Sequence, residues 1–578
     1  MVTDPEETLA QLVRDALAAE LGEQYATADP IIRPSQFADF QSNAALPLAK
    51  ALGRPPREIA TAVAAHLADP AGGGPIEKVE VSGPGFINIT LRDEWIGAQA
   101  ASQLTDSRLG VALAEPSQRV VVDYSGPNVA KELHAGHLRP TVVGDAIVRV
   151  LEYLGHTVIR AAHLGDWGTQ FGMLIEHALD IGEQATAKEL ESGEFTAFYQ
   201  AARAKFDAEP SFADRSRQRV VELQAGYEQA LRLWRILVDD SMVYLRDVYT
   251  RLDITLTDAD MDPESFYNPV LASVSGELED KGIAVISDGA LCAFPPGFSG
   301  RDGRPVPLML RKSDGGYGYA TTDVAAIRYR LVDLKVDRII YVVGSEQHQH
   351  FELVFAVARQ AGWLTGQSAE HAVIGLMTGP GGQRLKTRSG DQVKLVSLID
   401  EAVDRAGEVI RDRYADPMLR QQIAESVGVG ALKYGDLSVA RDSSYVLDFD
   451  RLLALTGNTG PYLQYATARI RSIFHKAGRD PAAATGPVAV GEPAERALAL
   501  SLLGLGRAIG EVAVAAEPHK LAAYLFDVAS AFTTFYEHCP VLTAEPAVRD
   551  SRLALAALTL RVLQTGLELL GIPVPERM

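Results

Sequence analysis

"RVVVDYSGPNVAKELHAGHLRPTVVGDAIVRVLEYLGHTVIRAAHLGD", residues 119–166, is the stretch on which the fold turns. It opens on RVVVDYS, an apolar run of buried-strand length, and passes through the loop GPNVAKEL into a helical pattern that ends at Gly155. A second strand-like run, HTVIRAAHLGD, follows. Strands covered on both faces read as continuous apolar runs, so the segment is expected to be one βαβ unit of a parallel sheet. If the helix begins near His134, then His134 and His137 share one face of its first turn, beside backbone N–H groups with no partner inside the helix. Those groups and the helix dipole attract a phosphate chain, and the imidazoles add donors where charge develops on an α-phosphate during displacement. Gly136 removes a side chain that would hold off a flat nucleobase. A pattern as short as HxGH also arises by chance at an ordinary helix start. The upstream strand, the Gly/Pro/Asn loop and the Gly-rich HLGDWGTQFG at 163–172 give it weight.

Around this unit the chain is long and ordinary in composition. Its 578 residues, 47% hydrophobic and 22% charged, are enough for three or four domains. Before residue 113 the pattern is mixed: a helical start, PPREIATAVAAHLA at 55–68, then IEKVEVSGPGFINITL at 76–91, whose alternation and Gly-Pro-Gly turn predict a hairpin. Residues from about 180 to 300 are charged and helix-rich, as expected of an insertion between two halves of the sheet. Strands are expected to return at VPLMLRKSDGGYGYA (306–320), RIIYVVGSEQ (338–347) and HAVIGLM (371–377), giving an open α/β sheet with its ligands in the crevice at the strands' carboxyl ends. From about 391 onward nearly every segment is helical, with a linker at 476–493.

Composition also narrows the function classes. Cys292 and Cys539 lie far apart without a CxxC pair, which suggests neither a zinc module nor a disulfide framework, and a reducing cytoplasm fits. The acidic, helix-patterned start lacks the marks of a signal or transit peptide, and no apolar stretch reads as long and charge-free enough to span a bilayer. A net charge of −20 argues against coating nucleic acid by bulk attraction, though not against a local basic face.

Several ordered stretches together resemble one family. YSGPNVAKELHAGHLRPTVVGDAI (124–147) with HLGDWGTQFG is similar to the HIGH signature region, Pro127 to His137 here, of the class I aminoacyl-tRNA synthetases, and its flanks resemble the arginyl-tRNA synthetase branch. ADFQSN (38–43), SDGGYGYATTDVAA (313–326), VVGSEQHQHF (342–351), LKTRSGDQVKL (385–395), NTGPYLQYATARIRSI (458–473) and the terminal PVPERM extend the resemblance over nearly the whole chain. It implies an α/β fold: a Rossmann-like parallel sheet with an inserted helical segment in a catalytic domain at 113–390, a small α+β domain at 1–112 that binds the tRNA corner, a helical stem-contact region at 391–455 and an all-α anticodon-binding domain at 456–578.

The implied activity is arginine–tRNA ligation: ATP and arginine give arginyl-adenylate, then the arginyl group passes to the 3′ end of tRNA(Arg). His134, Gly136, His137 and Lys131 would bind ATP. RLKTR at 384–388 departs from the family's KMSKS loop, having Thr387 where the second lysine is usual. Branch members without that lysine resemble one another in carrying a lysine just before the histidines, the place of Lys131, where an ammonium can reach the same phosphates; a solvated loop lysine is the alternative. Lys386 and Arg388 would still serve from the loop. Magnesium is expected to arrive with ATP, and no protein metal site is expected.

A guanidinium is a planar fork of donors and calls for carboxylates and a hydroxyl in fixed positions. By resemblance Tyr319, Asp323 and Asp123 face it, while Asn128 and Gln347 hold the α-amino and carboxylate end; taken singly, each also reads as a cap, core or turn residue. Such a site rejects analogues by roughly 10⁴ to 10⁵, so no editing site is needed. Phe86 and Asn88 share a strand face suited to an unstacked base, with core packing the rival for Phe86. Tyr462, Tyr465, Arg469, Tyr536 and Arg561 are the expected tRNA contacts of the carboxyl-terminal helices. The resemblance also implies that tRNA is bound before activation proceeds, that the protein is a cytoplasmic monomer, and that neither DNA nor a membrane is a partner. The alternatives are another HxGH nucleotidylyltransferase, which would lack the long helical region, or a catalytically inactive tRNA-binding relative.

Overall fold

The acidic start forms the helix Pro5–Leu21, whose first N–H groups, those of Glu6 and Glu7, donate to the Asp4 carboxylate. The computed structural model describes residues 4–68, 73–129, 131–191, 195–300, 302–383, 385, 393–411 and 413–578. Two short strands come next, β1 (Ile32–Pro34) and β2 (Phe40–Ser42). The expected hairpin is β3 (Ile76–Ser82) and β4 (Phe86–Leu91), and the four strands form an antiparallel sheet in the order β1-β2-β4-β3. The three-residue strands escape sequence reading because they are too short to show an alternation.

β5 (Arg119–Tyr124) and β6 (Thr157–Ala161) pair in parallel across the helix Leu138–Tyr153, as the quoted stretch requires. Val120, Val121 and Val122 are buried, covered on both faces. The inserted region supplies the helices Phe195–Ala208, Pro210–Gln224, Glu228–Arg251 and Asn268–Asp280. It is not wholly helical: β7 (Ala284–Ser287) and β8 (Ala290–Ala293) lie within it and pair with β9 (Leu308–Arg311) in a separate antiparallel sheet. The run VPLML therefore does not return to the parallel sheet. Leu308 and Leu310 point inward while Met309 is 46% exposed, the alternation of a sheet with one wet face.

β10 (Arg338–Val342) and β11 (Ser368–His371) complete the parallel sheet, in the order β11-β10-β5-β6. The strand expected over HAVIGLM ends at its first residue. Beyond His371, Ala372 makes one more bond to β10, donating to the Tyr341 carbonyl, and the backbone then turns to loops, Ser345 donating to the Ile374 carbonyl and Gly375 to that of Arg441, before β12 (Met377–Thr378) pairs with β13 (Tyr445–Val446).

The remainder is helical, including Leu395–Ile410, Pro417–Leu437, Gly460–Ala477, His519–His538 and Pro546–Leu569. One expectation is corrected here: the stretch Pro493–Ala515 is long and apolar enough to cross a membrane, its most apolar 18 residues having a mean hydropathy of 1.6, and half of those are buried within the fold. It divides at Gly504 into two helices, the first of which packs against His519–His538 and the helix Asp93–Thr105. Through this contact the amino-terminal unit docks on the carboxyl-terminal helices. Gln103 donates to the Leu502 carbonyl at 2.9 Å, and Arg496 binds Asp39, Asp93 and the Leu91 carbonyl.

Candidate active site

The carboxyl ends of β5 and β10 open into a cavity of about 890 Å³, where a parallel sheet places its ligands. Asp123, Asn128, His134, Gly136, His137, Tyr319, Asp323 and Gln347, all foreseen from sequence, line it. His134 caps a short helical turn, Ala135–His137, that leads into the helix Leu138–Tyr153. Its Nδ1 accepts the Gly136 N–H at 3.1 Å, and His137 Nδ1 accepts the His134 N–H at 3.0 Å. Burial above all, with the neighbouring His134, brings His137 down to about 3; burial and the Lys131 charge lower His134. Both rings are therefore neutral near pH 7, and because each Nδ1 is an acceptor the proton of each sits on Nε2. A Cβ at Gly136 would meet the His134 ring at 2.9 Å, so glycine also lets this imidazole fold back on the turn.

Lys131 is exposed, its ammonium lies 4.9 Å from the centre of the Tyr199 ring, and it is not among the residues that line the cavity. Lys386 and Arg388 lie outside the described residues. The flanks of their segment are placed: Leu385 and Val393 line the cavity, Ala135 donates to the Val393 carbonyl and Leu395 to that of Leu133, both at 2.8 Å.

The acidic end is more crowded than the sequence suggested. Asp123 is buried and its Oδ2 lies 2.7 Å from Nη1 of Arg330, a fully buried guanidinium that also holds Asp262 at 2.5 Å. The expected substrate ligand is thus in part already committed to an arginine of the chain. Asp323 is bonded to His350 Nε2 at 2.6 Å; burial would raise its carboxyl, but His350 and the charge of His163 hold it below its ordinary value. Tyr319 is 62% exposed, its ring 5.0 Å from that of His350. Asn128 bridges to Gly165, where a Cβ would strike its Oδ1 at 2.2 Å, so glycine is required.

Sequence reading missed Glu264, His163, His350, Asp262 and Arg330. Glu264 lines the cavity, and burial, assisted by Asp323 and Asp166 against the opposing His163, pushes its carboxyl up to about 7. His163 opens the motif HLGDWGTQFG and so had a signal. Asp262 and Glu264 lie within the insertion, in the polar stretch DMDPES (260–265), with no spacing to mark them.

The expected tRNA contacts divide. Arg469 lies between two rings, 4.8 Å from the centre of Tyr465 and 5.2 Å from that of Tyr536, which is 41% exposed. Tyr462 is turned inward, its hydroxyl bonded to Thr533 at 3.0 Å. Arg561 does not face solvent as a contact: it donates to the Leu104 and Asp106 carbonyls and closes the end of the helix Asp93–Thr105. Asn88 is also corrected. It is 5% exposed, donates to Ser82 Oγ at 2.8 Å and accepts from Ser35 Oγ at 3.3 Å, so its amide is spent inside the sheet. Phe86 is half-buried at the hairpin turn.

Comparison with known proteins bears on all three parts of the chain. Residues 99–449 match the family described as "tRNA synthetases class I (R), catalytic domain", 463–578 the "DALR anticodon binding domain" and 7–91 the "Arginyl tRNA synthetase N terminal domain". The chain is 58% identical over 583 residues to the arginine–tRNA ligase of Thermobifida fusca, with 100% of both covered. It is 52% identical to that of Frankia casuarinae, over 96% of this chain and 95% of the relative. The crystal structure of arginyl-tRNA synthetase from Plasmodium falciparum superposes with a TM-score of 0.84 at 28% identity, covering 100% of both chains. The Thermus thermophilus arginyl-tRNA synthetase shares the fold, with a TM-score of 0.81 at 24% identity over 99% of this chain and 100% of that one.

Proposed function

Because the chain belongs to the arginyl-tRNA synthetase family, with arginine–tRNA ligation in translation as its activity, we propose how its residues divide that work. ATP, arginine and tRNA are the substrates. The observation that carries the assignment is the meeting, in one cavity, of two neutral imidazoles at a helix start with an acidic end built on Asp323 and Glu264.

The arginine guanidinium enters the acidic end, where Asp323, Glu264 and the Tyr319 hydroxyl receive its donors and Asp123 acts from behind through Arg330. Asn128 and Gln347 orient the α-amino and carboxylate groups toward the triphosphate. The arginine carboxylate attacks the α-phosphate, an oxygen–phosphorus bond forms, and pyrophosphate leaves with the electrons of the bond that breaks. Nε2–H of His134 and of His137 donate to the charge that develops there, having paid no reorganisation at the moment of reaction. Lys131, with Lys386 and Arg388 of the loop, neutralises the departing phosphates, and magnesium accompanies ATP. The adenylate then passes its arginyl group to the terminal ribose of tRNA. Arg469, Tyr465 and Tyr536 hold the anticodon end, and Phe86 contributes from the amino-terminal sheet. A cytoplasmic monomer is the expected working form, and sedimentation of the full chain checks the oligomeric state.

The test is amino-acid-dependent exchange of labelled pyrophosphate into ATP, run with each standard amino acid, with and without tRNA. Exchange with arginine alone among them is expected, and stronger when tRNA is present; exchange driven by another amino acid, or none with arginine and tRNA together, overturns the assignment.

A further inference from the structure

The acidic end of the cavity holds several carboxylates, and side chains of the protein already face them. Arg330 spans Asp123 and Asp262, and His350 takes Asp323. Between the two remaining faces lies His163, which follows β6. Its Nδ1 is 3.8 Å from Asp262 Oδ2 and its Nε2 is 3.6 Å from Asp323 Oδ1, and among the described residues neither buried ring nitrogen is within hydrogen-bonding distance of a partner. Glu264 and Tyr267 stand around it from within the insertion and Asp166 from the loop after β6, the Tyr267 ring 5.9 Å away.

A neutral imidazole would turn a lone pair toward one of these two carboxylates; an imidazolium presents an N–H to each. With a carboxylate facing each nitrogen, the surroundings favour the charged ring. Burial works against that charge, but Asp262, Asp323 and Asp123 outweigh it and raise His163 to about 9. The same carboxylate, Asp323, is the one the substrate guanidinium needs.

We propose that His163 is the resident counter-cation of the arginine pocket and releases its proton to solvent as the substrate guanidinium arrives, so that arginine binding is an exchange of one positive charge for another. The proposal rests on the pocket assignment above. The step balances: one N–H bond of the imidazolium breaks, a proton leaves, and the guanidinium, which stays protonated throughout, takes over the carboxylate. The exchange makes His163 a positioning residue for specificity. A neutral side chain of similar size cannot discharge the ring and leaves the Asp323 side of the pocket occupied.

The test is titration calorimetry of L-arginine into the full-length protein at pH 8, in buffers of different ionisation enthalpy, which reads the protons released per arginine bound. At that pH Glu264 is already largely ionised, whereas most His163 is protonated in the free protein. The wild type should release roughly one proton, and its affinity should tighten by about tenfold per pH unit from pH 7 toward 9. His163→Gln should bind arginine with clearly smaller release and a shallower pH response than the wild type, what remains coming from Glu264, whose carboxyl loses the opposing His163 charge. The substrate's α-amino group titrates in the same range, and the difference between the two proteins removes its share. Wild-type binding without proton release, which needs no variant to fold, overturns the exchange, as does undiminished release in His163→Gln. Failure of the wild type to bind arginine overturns the pocket assignment itself and the exchange with it.

Discussion

His137 accepts the backbone N–H of His134 through Nδ1, across 3.0 Å, and this single bond settles which edge of the ring carries the proton. His134 does the same with Gly136. The two donors are fixed by the turn before any nucleotide arrives. Replacing either histidine by alanine should lower the activation rate by roughly 10² to 10³ while arginine binding changes little, since the donors act on charge that exists only in the transition state. Glutamine, whose amide reaches the Nε2 position, should preserve more of the rate than asparagine, which restores only the Nδ1 acceptor. Pyrophosphate exchange alongside arginine titration checks both; equal loss with Gln and Asn at position 137 would disprove the donor role of Nε2.

The same burial makes His137 a liability in acid. Its value falls from 6.5 in the unfolded chain to about 3, chiefly by burial. Between those values the unfolded chain binds a proton that the folded chain does not, so stability falls as pH drops from 6.5 toward 3 and this contribution is fully present above 6.5. His137→Gln should lose less of its urea midpoint than the wild type between pH 7 and pH 5. An identical loss in both proteins would assign the acid sensitivity elsewhere.

Arg139 and Asp436 form a buried pair 2.6 Å apart, with side chains 1% and 0% exposed, joining the helix that starts at the histidines to the helix Pro417–Leu437. Arg139 also donates to the Ser443 carbonyl at 2.6 Å. Asp436→Ala strands the guanidinium and should cost about 3–5 kcal/mol in chemical denaturation, whereas replacing both partners with apolar residues of similar volume should recover most of it. A cost under about 1 kcal/mol for the single variant would show that Arg139 is held by carbonyls alone.

What could be read from the residues was the part that repeats a physical rule over several positions. The apolar RVVVDYS and RIIYVVG runs announce strands buried on both faces, and the HxGH turn announces a helix start. VPLML and HAVIGLM misled because short apolar runs carry no sign of which sheet they join; the register of β9 and the loop bonds of Ile374 and Gly375 are settled by tertiary contacts. In the site, residues within a contiguous motif were found, but the partners that set their charge were not. Arg330 behind Asp123, and His163 between Asp262 and Asp323, come together only when distant segments fold onto one sheet edge. Asn88 failed for a related reason: strand alternation shows that it shares a face with Phe86, not that Ser35 and Ser82 fill that face at Asn88.

Two arginines of the carboxyl-terminal helices, alike in sequence, should therefore behave oppositely. Arg469 stands between Tyr465 and Tyr536, and its hydrogen bond holds the Tyr465 hydroxyl below its ordinary value, leaving a half-buried cation and ring beside the exposed Tyr536. Arg561 spends its donors on the carbonyls of Leu104 and Asp106, fastening the amino-terminal unit. Arg469→Ala should weaken tRNA binding by roughly tenfold or more with the melting temperature nearly unchanged, and, if the guanidinium meets a phosphate, should reduce the log–log salt slope by about 0.7 to 0.9. Arg561→Ala should lower the melting temperature while leaving that slope as in the wild type, because no phosphate contact is removed. Affinity for tRNA measured at several salt concentrations, paired with thermal melts, separates the two. A salt slope that drops in Arg561→Ala would return that residue to the RNA interface, and unaltered affinity in Arg469→Ala would remove the stacked arginine from it.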